Sequence, residues 1–272
     1  MFALIRGVSV GRRTGTGIPG RGHYRDGMQF DGLHAVADYA ALYALLRQDA
    51  LERFLDDELG DYRTDADIAG RQLTFAADDR PEIRASTTLA AVLDQDQITW
   101  GWAHPDGDPH GVAVALREAG KRFGVADLVH PRVGLPGHLS GAASDQFLDE
   151  ATDIVAAAAV GSTGISPHVT ARLGDGSRAV LLLDGIELPE PTFADFATRM
   201  PGLLNALTVN DPRVAVHGLA ARLGWHISWV SGDDSTRSPV CELTDGTSTA
   251  HIDFDRKGRP RGYRCDLVAS AG

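Results

Sequence analysis

The run Thr99-Trp100-Gly101-Trp102-Ala103-His104-Pro105 constrains the fold more than any other stretch of this chain. Side chains on a strand alternate between its two faces. Ile98, Trp100 and Trp102 therefore fall on one face, and Thr99, Gly101 and Ala103 on the other. One face is very large and the other very small. A thick apolar layer has to cover the first, and something has to pack closely on the second. A loop of acids and imidazoles follows at once, His104-Pro105-Asp106-Gly107-Asp108-Pro109-His110.

The rest of the chain reads as helices and hairpins. Leu33, Val36, Ala40, Tyr43, Ala50, Phe54 and Leu55 recur at helical spacing and predict a helix over 33–58. Asp38, Arg47, Gln48, Asp49 and Arg53 are expected on its outer face. Strands are predicted at 73–75, 83–93 and 97–103. A second helix is expected over 109–123, capped by Asp108, with Pro109 at its first position and Gly124 as its stop. Val112, Leu116, Ala119 and Phe123 form its inward face.

A third helix is expected over 144–160. Ser144 caps it, Asp145 and Asp149 suit the positive end of its dipole, and Gly161 ends it. Phe147, Ala151, Ile154, Val155 and Ala158 face inward. Strands at 169–173 and 178–183 make a hairpin across Gly174-Asp175-Gly176-Ser177. The unbroken apolar run Val180-Leu181-Leu182-Leu183 marks a central strand covered on both faces. Helices over 193–207, kinked near Pro201, and from Asp211-Pro212 to Gly224 lead into strands at 225–230, 240–244, 249–254 and 262–267. Short hairpins dominate, and no strand–helix–strand unit repeats. The expected fold is α+β, with antiparallel sheets built as meanders and hairpins and packed against about five helices. Three parts are expected: an arm at 1–32, an α+β domain at 33–188, and helices plus a β-meander at 189–272 packed on the first part.

The arm is basic within an acidic chain. Gly11 to Gly22 has no apolar period and cannot offset its chain entropy. It reads either as a flexible arm or as upstream sequence ahead of a natural initiator at Met28. Its glycines invite a phosphate-loop reading, but no Gly-Lys-Ser/Thr ending follows them. The formal net charge of −11 repels phosphate backbones, so no nucleic-acid partner is expected. No apolar run reaches 18 residues, so no membrane partner is expected either. Met1 to Ile5 is too short for a signal-peptide core, and the two cysteines, Cys241 and Cys265, make no disulfide framework. A cytoplasmic location with free thiols follows.

Two constellations offer metal chemistry. His104, Asp106, Asp108 and His110 place two imidazoles and two carboxylates within seven residues, a set that suits Zn, Mn or Fe. The bland reading of the same residues is a strand-to-helix loop. His251-x-Asp253-x-Asp255 falls on one face of a strand and reads either as a chelating face or as a solvated one. Cys241 and Cys265 read as small core residues, since neither sits on a nucleophile elbow. Trp100 and Trp102 are candidate ligand-binding residues, as an aromatic pocket wall. Trp225 and Trp229 repeat their spacing around Ile227. No cofactor is identified.

The helix at 33–58, the strand Leu73-Thr74-Phe75, the run Thr99 to Pro105, the helix Leu116 to Val125 and the strand Val180 to Asp184 occur in that order. This order resembles a family of uncharacterised bacterial proteins, mostly actinobacterial, known only as a domain of unknown function. Its hallmark is a Trp-x-Trp-Ala strand followed by an amphipathic helix ending in Gly. An Asn often stands in that family where His104 stands here. The resemblance spans about 33–185 and implies no established activity, so it carries over no catalytic residue.

Two functional readings follow. The first is a non-catalytic protein that binds a basic protein partner or a small molecule, with toxin-neutralising immunity proteins as one instance. The alternative is a metal-dependent hydrolase working through His104, Asp106, Asp108 and His110.

Overall fold

The computed structural model describes residues 31–135, 142–207, 209–230 and 239–268. Of the arm expected at 1–32, residues 1–30 lie outside the described residues, as does the side chain of Ser144, while Asp31 and Gly32 belong to the first helix. Helix α1 (Asp31–Glu58) opens the fold and leads into the hairpin β1 (Arg63–Asp67) and β2 (Gln72–Ala76). The long strand β3 (Ile83–Leu93) and the short β4 (Gln97–Trp100) follow. Helices α2 (Val114–Phe123) and α3 (Ala126–Val129), strand β5 (Arg132–Gly134) and helix α4 (Ala142–Thr163) come next. The hairpin β6 (His168–Arg172) and β7 (Arg178–Asp184) precedes α5 (Phe193–Ala206) and α6 (Pro212–Leu223). Strands β8 (His226–Val230), β9 (Val240–Thr244), β10 (Thr249–Phe254) and β11 (Pro260–Asp266) complete the chain. The α+β class with antiparallel meanders and hairpins holds, with six helices because the single turn α3 adds one.

Strand β3 organises the larger, seven-stranded sheet. Ser86 pairs with Gln72 of β2 and Asp184 of β7, and Leu93 pairs with Ile98 of β4 and Arg178 of β7. Strands β2 and β4 therefore share one edge of β3, while β7 takes the other from Ser86 to Leu93. The expectation for 180–183 is met: all four residues are buried, because β7 lies between β3 and β6 and is covered on both faces. The second sheet runs β11-β10-β9-β8, all antiparallel. Cys241 is buried on β9 and Cys265 half-buried on β11, both as free thiols, and burial pushes the Cys241 thiol up to about 12. One apolar cluster joins Leu33 of α1 to Phe254 of β10. A second gathers Leu51, Leu55 and Leu59 with Leu73, Phe75 and Leu181. No helix among the described residues is long and apolar enough to cross a membrane.

The close approach expected beside the tryptophans is present. A Cβ on Gly101 would lie 1.7 Å from the Leu89 carbonyl oxygen, and the Gly101 N–H donates to Ala90 at a bulge in β3. The strand stops at Trp100, however, so Trp102 lies in a turn instead of continuing the strand face.

Several sequence expectations are corrected. Helix α2 starts at Val114, because residues 109–113 form turns; the Asp108 carboxylate accepts from the His110 N–H in that turn. Val112 and Phe123 are exposed instead of facing inward, and the Arg122 guanidinium lies over the Phe123 ring. Helix α4 begins at Ala142, ahead of Ser144, and runs through Gly161 to Thr163. Gly161 serves a helix contact there: a Cβ would lie 2.7 Å from the Ala40 methyl on α1. Asp145 and Asp149 bind the buried guanidinium of Arg178 at 3.1 and 2.9 Å. Strand β1 and the short elements α3 and β5 were not expected.

Asp38 and Arg47 are buried, although the helical pattern places them on an outer face. Helix α1 packs against both α4 and α6, so little of it faces water. Both residues find partners, as buried polar groups must. Asp38 accepts from the Asn210 and Asp211 N–H groups at the start of α6, at 3.1 and 3.2 Å. Burial still raises its carboxyl above the usual range. Arg47 donates to the Ser166 hydroxyl and to the carbonyls of Leu188 and Pro189.

Candidate functional site

A stripe along α1 forms the floor of a groove. Ala37, Asp38, Ala41, Ala44, Leu45, Gln48, Leu51, Glu52, Leu55 and Asp56 recur at helical spacing and all line one cavity of about 530 Å³. Its walls come from Asp61, Tyr62 and Thr64 around β1, Phe75 of β2, Asp153, Ile154 and Ala157 of α4, His168, Val169 and Thr170 of β6, and Leu207 and Val209. From Ala37 to Asp56 the helix rises about 29 Å, so the α1 lining residues are spread over that length.

Five carboxylates, those of Asp38, Glu52, Asp56, Asp61 and Asp153, are among the described residues that line it. Glu52, Asp56 and Asp61 are exposed along the rim, and Asp153 is half-buried. Alanine and leucine side chains make the floor between them. The buried side-chain carbonyl of Gln48 accepts no hydrogen bond among the described residues. Such an arrangement sets acidic groups beside apolar area.

The loop after β4 is organised differently. His104 Nδ1 accepts from the Asp106 N–H at 3.2 Å, and burial holds the imidazole below its ordinary range. Asp106 Oδ2 lies 3.9 Å from that nitrogen. Asp108 pairs with Arg71 at 2.9 Å, and its carboxyl lies below the usual range, first through the His110 N–H and then through Arg71. Among the described residues, no three histidine, cysteine, aspartate or glutamate side chains converge to hold a metal ion. His251 faces Glu242 across the β9–β10 ladder at 3.7 Å, while Asp255 accepts from the Lys257 and Arg259 N–H groups in its turn.

Trp100 is fully buried and its indole N–H donates to the Asp127 carbonyl at 2.7 Å. Trp102 packs against the same cluster, with the Arg117 guanidinium 5.2 Å from its ring centroid. Neither ring lines the groove. Trp225 packs on Phe193 and Phe196, whereas Trp229 is partly exposed beside Phe254.

The model of a family of unknown function (DUF6882) matches residues 34–186. The chain belongs to that family. The DUF6882 segment holds both tryptophans of the Thr99–Pro105 run and every described residue lining the groove except Leu207 and Val209. No curated protein matches the chain, and no solved structure matches it. The groove residues were missed in the sequence because a partly acidic helix stripe also describes a solvated face. The signal present was the run Ala41, Leu45, Gln48, Glu52 and Asp56, which mixes small, apolar and acidic residues down one side of α1.

Proposed function

We propose that this DUF6882 protein is a non-catalytic binding protein whose partner is a basic protein segment, held in the groove along α1. The observation that carries this reading is the set of five carboxylates among the described lining residues, set around an apolar floor. Lining residues spread over about 29 Å of α1 suit a stretch of chain better than a compact small molecule. Covering the basic surface of a toxin would be one use of such a site.

A fluorescein-labelled heptapeptide of alternating arginine and valine tests the reading by polarisation. It is expected to bind, and its glutamate–valine counterpart is expected not to. The triple variant Glu52→Gln, Asp56→Asn, Asp153→Asn is expected to bind the cationic peptide about ten-fold more weakly, since partly exposed pairs contribute modestly each. Equal binding by the native and neutralised proteins would remove the groove as the site.

The alternative, metal-dependent hydrolysis through His104, Asp106, Asp108 and His110, draws support from the burial that holds the His104 imidazole below its ordinary range. The engagement of Asp108 with Arg71 weighs against it. Metal analysis of protein purified without chelator is expected to find no stoichiometric metal. One equivalent of metal per chain, lost on His104→Ala, would reverse the ranking.

A further inference from the structure

We infer that two copies of this chain pair through the outer edge of β11, antiparallel and centred on Cys265, so that their four-stranded sheets join into one. Strand β11 ends the order β11-β10-β9-β8 and pairs only with β10 among the described residues. An edge of this kind is a template for a further strand. The inference is independent of the groove, whose described lining includes no residue of this sheet.

The hydrogen-bond phase fixes which residues of β11 bond to a second copy. The Phe254 N–H donates to the Pro239 carbonyl, on the β9 side of β10. Bonding alternates along an antiparallel ladder, so even-numbered residues of β10 turn their N–H and C=O groups toward β9 and odd-numbered ones toward β11. Thr249, His251 and Asp253 pair with Asp266, Arg264 and Gly262. These even-numbered residues of β11 therefore bond inward. The Val268 N–H keeps the same phase by donating to the Ser248 hydroxyl at 3.2 Å. Tyr263 and Cys265 turn their N–H and C=O groups toward the outer edge.

Charge then selects the register. Arg264 and Asp266 are both exposed and share one face of the strand. A two-fold axis at Cys265 places Arg264 opposite Asp266 of the second copy, and Asp266 opposite Arg264. Both pairs fall at non-hydrogen-bonded positions, where facing side chains come closest. Moving the axis by one residue sets Arg264 against Arg264 or Asp266 against Asp266. Edge charges of a single sign hold strands apart, whereas these two signs make the edge complementary to itself. The same register covers apolar surface. Leu267 and Val268 are exposed just past the end of β11. Leu267 comes to lie opposite Tyr263 of the second copy, which packs on the main core. Val268 comes to lie opposite Gly262, which has no side chain to oppose it.

Complementary charge reversals test the pairing in the full chain. Arg264→Asp makes both positions acidic, and Asp266→Arg makes both basic. Sedimentation velocity up to about 200 µM covers the weak range of a single shared ladder. The native chain is expected to dimerise. Each variant alone is expected to show a dimer dissociation constant raised about ten-fold or more, since two attractive pairs become repulsive. An equimolar mixture of the two variants is expected to dimerise as the native chain does, because each copy then meets the opposite charge at both positions. A native chain that stays monomeric would overturn the inference. Variants that each dimerise like the native chain would overturn it too, by placing the contact elsewhere. A mixture that stays as weak as its components would do the same, because the substitutions would then act on folding and not on a shared edge.

Discussion

Replacing Gly101 by alanine is expected to destabilise the protein by about 4 kcal/mol or more, at the extreme end of single substitutions. The added Cβ would lie 1.7 Å from the Leu89 carbonyl oxygen, within covalent range, and 2.7 Å from the Leu89 carbonyl carbon. These are backbone atoms of the central strand β3, so no rotamer change relieves the clash. The chain after Trp100 would have to leave β3 and give up the 2.7 Å bond from the Gly101 N–H to Ala90. The second side is closed too, since a Cβ on Gly107 would lie 1.7 Å from the Gly101 carbonyl oxygen. Trp100 adjoins this contact and is fully buried, so any retreat of the turn also disturbs the packing of the largest core side chain. Urea unfolding of Gly101→Ala measures the effect. Gly174→Ala is the control, because nothing lies within 4 Å of its added Cβ; a change of less than about 1 kcal/mol is expected there. Similar midpoints for the two variants would refute the close contact.

Gly101 also shows which features were legible in the sequence. A glycine between two tryptophans on a strand announces a close neighbour, although it does not say which one. Val180 to Leu183 likewise announced a strand covered on both faces, because no half-buried strand carries four apolar residues in succession. Asp211-Pro212 and the glycines 124 and 224 marked helix ends through local chemistry alone: the Asp211 carboxylate accepts from the Arg213 N–H, and both glycines adopt positive φ. Local signals of this kind survive folding because they depend on neighbours in the chain.

The features that were not legible depend on distant partners. Asp38 and Arg47 looked like solvent residues because periodicity counts polarity, and polarity does not reveal that Asn210, Asp211, Ser166 and Leu188 will meet them. Gly161 looked like a helix stop, because the Ala40 methyl it accommodates lies on another helix. Strand β1 was missed because Arg63-Thr64-Asp65-Ala66-Asp67 lacks apolar alternation; only Ala66 in it is buried. The groove is the extreme case. Its described lining comes from 37–75, 153–157 and 168–170 together with Leu207 and Val209, and these carboxylates gather only when those stretches meet.

The second large effect is expected at Gly218→Ala, where two helices touch through their backbones. A Cβ on Gly218 of α6 would lie 1.7 Å from the Tyr39 carbonyl oxygen of α1 and 3.0 Å from the Tyr39 ring. Alanine normally improves a helix relative to glycine by about 1 kcal/mol. The clash outweighs that gain, because α6 would have to retreat from α1 as a body. Ala215, Val216, Leu219 and Ala220 on α6 are all fully buried and would lose contact together. The hydrogen bonds that seat the start of α6 on Asp38 would lengthen with them. A net loss of about 3 kcal/mol or more is expected by thermal or urea unfolding. Gly161→Ala on the neighbouring α1–α4 contact provides the comparison. Its Cβ meets only the Ala40 methyl, at 2.7 Å, and its next neighbour lies at 3.9 Å. A small shift relieves that contact, and the helix propensity gain offsets part of the cost, leaving a net loss of about 1 kcal/mol. The order Gly218 well above Gly161 follows from what each Cβ meets, a carbonyl fixed in a helix in one case and a single methyl in the other. The reverse order would place the α1–α6 contact elsewhere than on the Tyr39 carbonyl.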